Sequence, residues 1–179
     1  MKKKDIILRE ILNQALAKKG IEFTQKELAK KLRVSLSTVF NALKGPRKIG
    51  AIRVTGRYFV VINPEKFLYY WGTIRDLSKD IIYETHVDGS ATEIEGLMPG
   101  GVIFAAYSAY TKLFKTPPAD YDKVYIYSNN LNEIKKRFPK RKGYINLIVL
   151  KPDPFLKKFG VISPLPQIFA DIWNLSDWY

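Results

Sequence analysis

The chain of 179 residues has no cysteine, one histidine and two methionines. Without cysteine there can be no disulfide scaffold and no thiolate zinc site, and a cytoplasmic home is expected. His86 stands alone, so a multi-histidine metal centre is excluded and the common nucleophilic triads are nearly closed. No apolar run approaches the roughly 18 residues that a membrane span needs, and no membrane partner is expected. Residues 1–4 are basic, but Asp5 and an amphipathic pattern follow at once, which does not read as a signal peptide. Nucleotide-binding G-x-x-x-x-G-K-[ST] loops and G-x-S-x-G elbows do not occur. Gly89-Ser90 is followed by no Asp-x-Asp pair on the apolar run 124–128, so the acids that would hold Mg²⁺ for nucleotidyl transfer are missing. The expectation is a protein that is not an enzyme and needs no cofactor.

What is present is concentrated in residues 24–43, TQKELAKKLRVSLSTVFNAL. Thr24 with Glu27 three residues on is a capping-box pattern, which predicts a helix from Gln25 with Leu28, Ala29 and Leu32 facing inward. A break at Arg33-Val34 leads to Ser35, a predicted cap for a second helix that Gly45-Pro46 should end. Two burial patterns fit that second helix. Plain periodicity buries Leu36, Val39, Phe40 and Leu43. Ala29 in the first helix, with Val34 to Val39 opening the second, resembles the helix-turn-helix of transcriptional regulators. That resemblance implies burial of Val39, Ala42 and Leu43, with Leu36 and Phe40 facing a DNA groove. Both patterns put Ser37, Asn41 and Lys44 outside. Asn suits adenine, Ser several base edges and Lys a phosphate. Ser35 and Thr38 are added as candidate DNA contacts, Thr38 to the backbone.

Arg47-Lys48 and two β-rich runs around Thr55-Gly56 come next, a predicted hairpin. A basic hairpin directly after the second helix resembles the wing of winged-helix proteins, with Arg53 and Arg57 flanking its tip. Charge follows the same division. Of the formal net charge of +13, residues 1–60 carry +11, from 15 Lys/Arg against 4 Asp/Glu. Residues 61–179 carry only +2. A basic third of this kind is suited to duplex DNA, whose phosphates supply most of the non-specific affinity.

Elsewhere the pattern gives elements more than chemistry. Residues 5–19 read as a helix with Ile7, Leu8, Ile11, Leu12, Ala15 and Leu16 on one stripe, closed by Lys18 and Lys19 and stopped by Gly20. Asn63-Pro64 opens a further helix, a linking segment over 63–80 whose aromatic residues serve either as a dimer seam or as packing against the C-terminal part. Residues 81–88 read as a strand with Ile81, Tyr83, Thr85 and Val87 on one face. Glu84, His86 and Asp88 share the other face, too far apart along it to take one metal. Residues 90–97 form a polar connection. Pro99-Gly100-Gly101 leads into a run apolar on every side over 102–114, predicted as a buried helix. Strands are predicted at 122–128 and 144–151 around a helix capped by Asn129 or Asn130, a β-α-β unit. Between them lies KKRFPKRK, six basic residues in eight, suited either to a solvated turn or to a second DNA-backbone patch. Ile168, Phe169, Ile172 and Trp173 fit a helix after Pro166. The final Trp178-Tyr179 pair implies either docking on the core or a chain cut short of its natural end.

The C-terminal half carries a looser resemblance. Pro99-Gly100-Gly101 to Leu113, the strand 124–127, and Ser163-Pro164-Leu165 with Ala170-Asp171 are similar to the C-terminal domain of AbiEi-type antitoxin and regulator proteins. That likeness implies repression of the protein's own operon and antagonism of a partner toxin. The whole chain is thus expected to be α+β: a winged helix-turn-helix over 1–62, a linking helix over 63–80 and a mixed α/β sensing or assembly domain over 81–179. The expected function is sequence-specific, repressor-type transcription regulation. The expected partners are double-stranded DNA, a second copy in a homodimer, and a small-molecule effector or partner toxin.

Overall fold

The computed structural model describes residues 1–17 and 21–176, so the expected roles of Lys18, Lys19, Gly20, Trp178 and Tyr179 lie outside the described residues. The described chain is mixed α+β, with eight α-helices and two small sheets. It divides into two compact units, Met1–Arg75 and Asp76–Tyr179.

The first unit opens with α1 (Lys3–Leu16), which starts two residues ahead of the expected helix and buries Ile7, Leu8, Ile11 and Leu12. Asp5 accepts a hydrogen bond from the Lys2 N–H and so caps it. β1 (Glu22–Phe23) follows, a strand too short for the sequence pattern to reveal. α2 (Gln25–Leu32) begins where Thr24 accepts a bond from the Glu27 N–H. The Glu27 carboxylate accepts from the Thr24 hydroxyl at 2.7 Å. Leu28 and Leu32 are buried, while Ala29 is half-buried.

α3 runs Leu36–Lys48 from its Ser35 cap, so it does not stop at Gly45-Pro46 as expected. Proline removes only one N–H, and here the missing bond falls in the last full turn. Ile49, Gly50 and Ala51 then bond back to the carbonyls of Gly45, Arg47 and Pro46. Gly45 also presents no Cβ to the proline ring, which eases the restriction that proline places on its predecessor.

β2 (Ile52–Val54) and β3 (Phe59–Val61) form the expected hairpin, and β1 adds to β3 on its other side, giving an antiparallel sheet of order β1-β3-β2. The turn is centred on Gly56-Arg57, one residue later than expected. Thr55 and Tyr58 close it through the Thr55 N–H to Tyr58 carbonyl bond at 2.8 Å and a Thr55 hydroxyl bond to the same oxygen.

α4 (Pro64–Ile74) is capped by Asn63, whose side-chain Oδ1 accepts from the Lys66 N–H at 2.8 Å. Phe67 and Trp71 are fully buried, and the Trp71 indole N–H donates to Asp5 at 3.0 Å. This helix packs on α1 and α3 and belongs to the first unit. The expected linking helix over 63–80 is therefore corrected. The backbone turns extended at Arg75, and Leu77 enters the core of the second unit.

The second unit is a three-layer arrangement around a four-stranded sheet of order β4-β7-β6-β5. β4 (Ile81–Thr85) ends three residues short of the expected strand, so His86 and Asp88 do not share a strand face with Glu84. A register shift between Ile81 and Tyr83 leaves Ile81 exposed while Tyr83 and Thr85 are buried, because one extra residue reverses which face each side chain meets. Ser90 and Glu93 form a capping box on α5 (Ala91–Gly96), and the Ser90 N–H bond holds the Glu93 carboxyl below its ordinary range.

The run 102–114 is not one buried helix. Ile103–Ala105 form β5, antiparallel to β6, and only Ala106–Phe114 form a helix, α6. Ala106, at φ 46°, makes the break. β5 is the edge strand, with Ile103 and Ala105 buried and Phe104 half-buried, while Leu113 and Phe114 at the end of α6 are exposed. β6 (Val124–Tyr127), α7 (Leu131–Arg137) and β7 (Leu147–Leu150) make the expected parallel β-α-β unit, with Asn130 as the cap. Val124, Ile126, Leu147 and Val149 join Ile94 and Ile134 on one side of the sheet. Tyr125, Tyr127, Ile148 and Leu150 join Leu77 and Leu156 on the other. α8 (Leu165–Trp173) packs on α6, and Asp171 within it accepts from the Tyr127 hydroxyl at 2.7 Å.

No helix among the described residues is long and apolar enough to cross a membrane.

Candidate nucleic-acid interface

α3 decides what the first unit can touch. It is pinned through Val39, Ala42 and Leu43, all buried, against α1 and α2. With that stripe turned inward, Leu36 is 54% and Phe40 49% exposed. The narrower of the two sequence patterns is the one adopted.

Ser37, Asn41, Lys44 and Lys48 follow at helical spacing along the middle of the outward stripe, and all four are exposed. Leu36, Phe40 and Arg47 form the row beside them. The Lys44 ammonium stands 5.3 Å from the centre of the Phe40 ring, so an apolar contact surface and a cation share one place. Asn41 presents its amide to solvent.

Three of the expected contacts are partly committed to the helix itself. The Ser35 hydroxyl accepts from the Thr38 N–H at 3.2 Å and lies 2.9 and 2.7 Å from the hydroxyls of Ser37 and Thr38. Ser35 therefore sets the start of α3 first, and Thr38 is half-buried beside it. Ser37, exposed, keeps a hydroxyl that can turn outward.

The hairpin tip and the front of α3 face a common groove of about 270 Å³, lined by Thr24, Gln25, Lys26, Leu36 and residues 54–58. Arg57 is part of that lining and joins the α3 face. Arg53, exposed on β2, is not, and neither are Arg47 and Lys48 at the far end of α3. Lys26, which the sequence pattern did not single out, is brought in by the start of α2.

Arg33 is the other residue that the pattern missed. It occupies the left-handed region, φ 51° and ψ 46°, at the joint between α2 and α3. A side chain there costs roughly 1–2 kcal/mol relative to the right-handed conformation, and glycine is the ordinary occupant of such a cap. Arg33 is exposed beside the start of α3. Replacement by glycine, after allowing for the added freedom of the unfolded chain, is expected to stabilise the first unit by about 0.5–1 kcal/mol. A thermal melt in which Arg33→Gly lowers the transition would contradict this account of the joint.

The other candidate considered from sequence does not assemble. Asp88 is taken up by Arg141 at 2.6 Å and by His86 at 3.3 Å, and no group of three potential metal-ligating side chains occurs among the described residues.

Compared with protein-family models, curated proteins and solved structures, the chain gives no match.

Proposed function

We propose that Met1–Arg75 is a winged-helix DNA-binding domain and that the chain is a sequence-specific transcriptional regulator of the repressor type. The observation that carries this reading is the outward stripe of α3, where two large apolar side chains stay exposed among Ser37, Asn41, Lys44, Arg47 and Lys48. A solvated helix face has no use for Leu36 and Phe40. A face that enters a major groove can set them against thymine methyl groups while Asn41 and Ser37 meet base edges. At about 1.5 Å per residue α3 is roughly 20 Å long, and a major groove about 12 Å wide admits a helix. The order of elements supports the same reading, since the basic hairpin with Arg57 at its tip directly follows α3. In this reading Lys44, Arg47, Lys48, Arg53 and Arg57 meet phosphates, and the second unit serves sensing or assembly.

The test is binding of the full chain to a selected operator and to random duplex DNA over a range of salt. Asn41→Ala should lose about 1–3 kcal/mol on the operator and little on random DNA, because it removes a base contact. Arg57→Ala should weaken both alike, because a phosphate contact positions without specifying. Equal losses on both DNAs from both substitutions would refute the assignment, as would affinity that does not fall between low and physiological salt.

A further inference from the structure

The second unit carries a basic surface that the first unit's role does not explain. Lys135, Lys136 and Arg137 end α7, and Lys140, Arg141 and Lys142 follow within five residues; all six are exposed. Among the described residues only Arg141 of these six has a carboxylate partner, Asp88. Arg137 donates to the Leu97 carbonyl at 2.8 Å, and the Lys140 ammonium donates to the Glu84 carbonyl. Lys135 and Lys140 stand 5.5 and 5.7 Å from the centre of the same Tyr83 ring. Tyr83 is itself fixed, because its hydroxyl donates to the Phe138 carbonyl at 2.7 Å.

These contacts hold cations in place without neutralising them. The negative end of α7 offers about half an elementary charge, far less than the five basic groups left over. The nearby acids are few. Asp88 is shared between Arg141 and His86, and Glu133, near the start of α7, is engaged with Asn130. Glu84 is half-buried on β4. A groove of about 300 Å³ with Arg137, Arg141 and His86 in its walls adjoins the cluster. Like charges gathered and anchored in this way repel one another until a polyanion arrives, and the ordering of Lys135, Arg137 and Lys140 is already done in the free protein.

We propose that this surface, at the end of α7 and the approach to β7, binds the phosphate backbone of duplex DNA in addition to the first unit's contacts. The proposal extends the DNA-binding reading but does not depend on what α3 does.

The test uses the full chain and a random duplex, with Lys135, Lys136 and Lys142 changed together to Gln. Among the described residues none of the three side chains makes a hydrogen bond or ion pair. Each lost phosphate contact reduces the salt slope by about 1, so the triple variant should show a slope shallower by about 2–3. Affinity near 0.1 M salt should fall about tenfold or more. Changing Lys115, Lys151 and Lys157 to Gln provides the charge-matched control and should leave the slope nearly unaltered. An unchanged slope in the first variant, or equal changes in both, overturns the proposal. Retained DNA binding with lost binding to polyglutamate also overturns it and assigns the surface to an acidic protein partner. Lys44→Gln with Arg57→Gln is measured alongside. If that pair has no effect while the Lys135, Lys136 and Lys142 variant does, the reading of α3 fails and the second surface stands.

Discussion

A chain cut after Ile62 should fail to fold its first unit, whereas one ending at Arg75 should fold. The expectation from sequence placed the boundary at 62, but α4 supplies part of the core on which α3 rests. Phe67 and Trp71 are fully buried, and burying two side chains of that size contributes roughly 3–6 kcal/mol. A unit of this length is stable by only about 4–11 kcal/mol in all. Truncation also takes from a buried acid two of its partners, leaving only the Lys2 N–H among the described residues. Asp5, on α1, accepts from the Trp71 indole at 3.0 Å and lies 4.0 Å from the Arg75 guanidinium, and a carboxylate left buried without such partners is costly. The two losses together remove most or all of the stability. Cooperative thermal unfolding by circular dichroism is the measurement. A fragment of residues 1–62 melting within a few degrees of the fragment 1–75 would show that α4 is an accessory.

The link from Asp5 to α4 separates what was legible in the sequence from what was not. Caps were legible because they are local: Thr24, Ser35, Asn63 and Asn130 each sit within three residues of the N–H they serve. The β-α-β unit was legible for a similar reason, since each of its parts is a short run with its own period. The Trp71 and Arg75 partners of Asp5 are 66 residues away or more, and no local pattern announces them. The run 102–114 was misread because a stretch apolar on every side looks the same as a helix or as a sheet strand. Ala106 alone, at a positive φ that its sequence does not advertise, divides it. The bulge at Ile81 and Tyr83 is invisible to alternation by its nature, because it breaks the alternation.

In the candidate interface, Ser37, Asn41 and Lys44 were legible because both burial patterns agreed on them. Leu36 and Phe40 were not, because their fate depends on how far α1 and α2 reach around α3. Arg33 and Lys26 escaped for want of any periodic signal. Arg47 and Lys48 were expected beyond the helix and instead ride on its last turn, and the reason for that turn lies at Gly45.

Gly45→Ala is expected to destabilise the first unit, against the ordinary preference for alanine in a helix. Alanine would add up to about 1 kcal/mol of helix stability at an open position. At this position a Cβ would lie 1.8 Å from the Tyr70 hydroxyl oxygen and 2.1 Å from the ring carbon that bears it. No such contact can be kept, so the Tyr70 ring must leave. It then loses its place against α3 and the hydrogen bond it accepts from the Lys4 ammonium at 2.9 Å. Overpacking of this kind costs about 1–3 kcal/mol, which outweighs the gain in propensity. Tyr70→Phe cannot relieve it, because the ring carbon collides as well. Tyr70→Ala should, so Gly45→Ala combined with Tyr70→Ala is expected to cost less than the sum of the two single changes by at least about 1 kcal/mol, within the range seen for side chains in direct contact. Urea denaturation of the four proteins measures the cycle. Additive losses would mean that Gly45 is not held open for Tyr70. In that case the glycine would serve Pro46 alone, by easing the restriction that proline places on its predecessor.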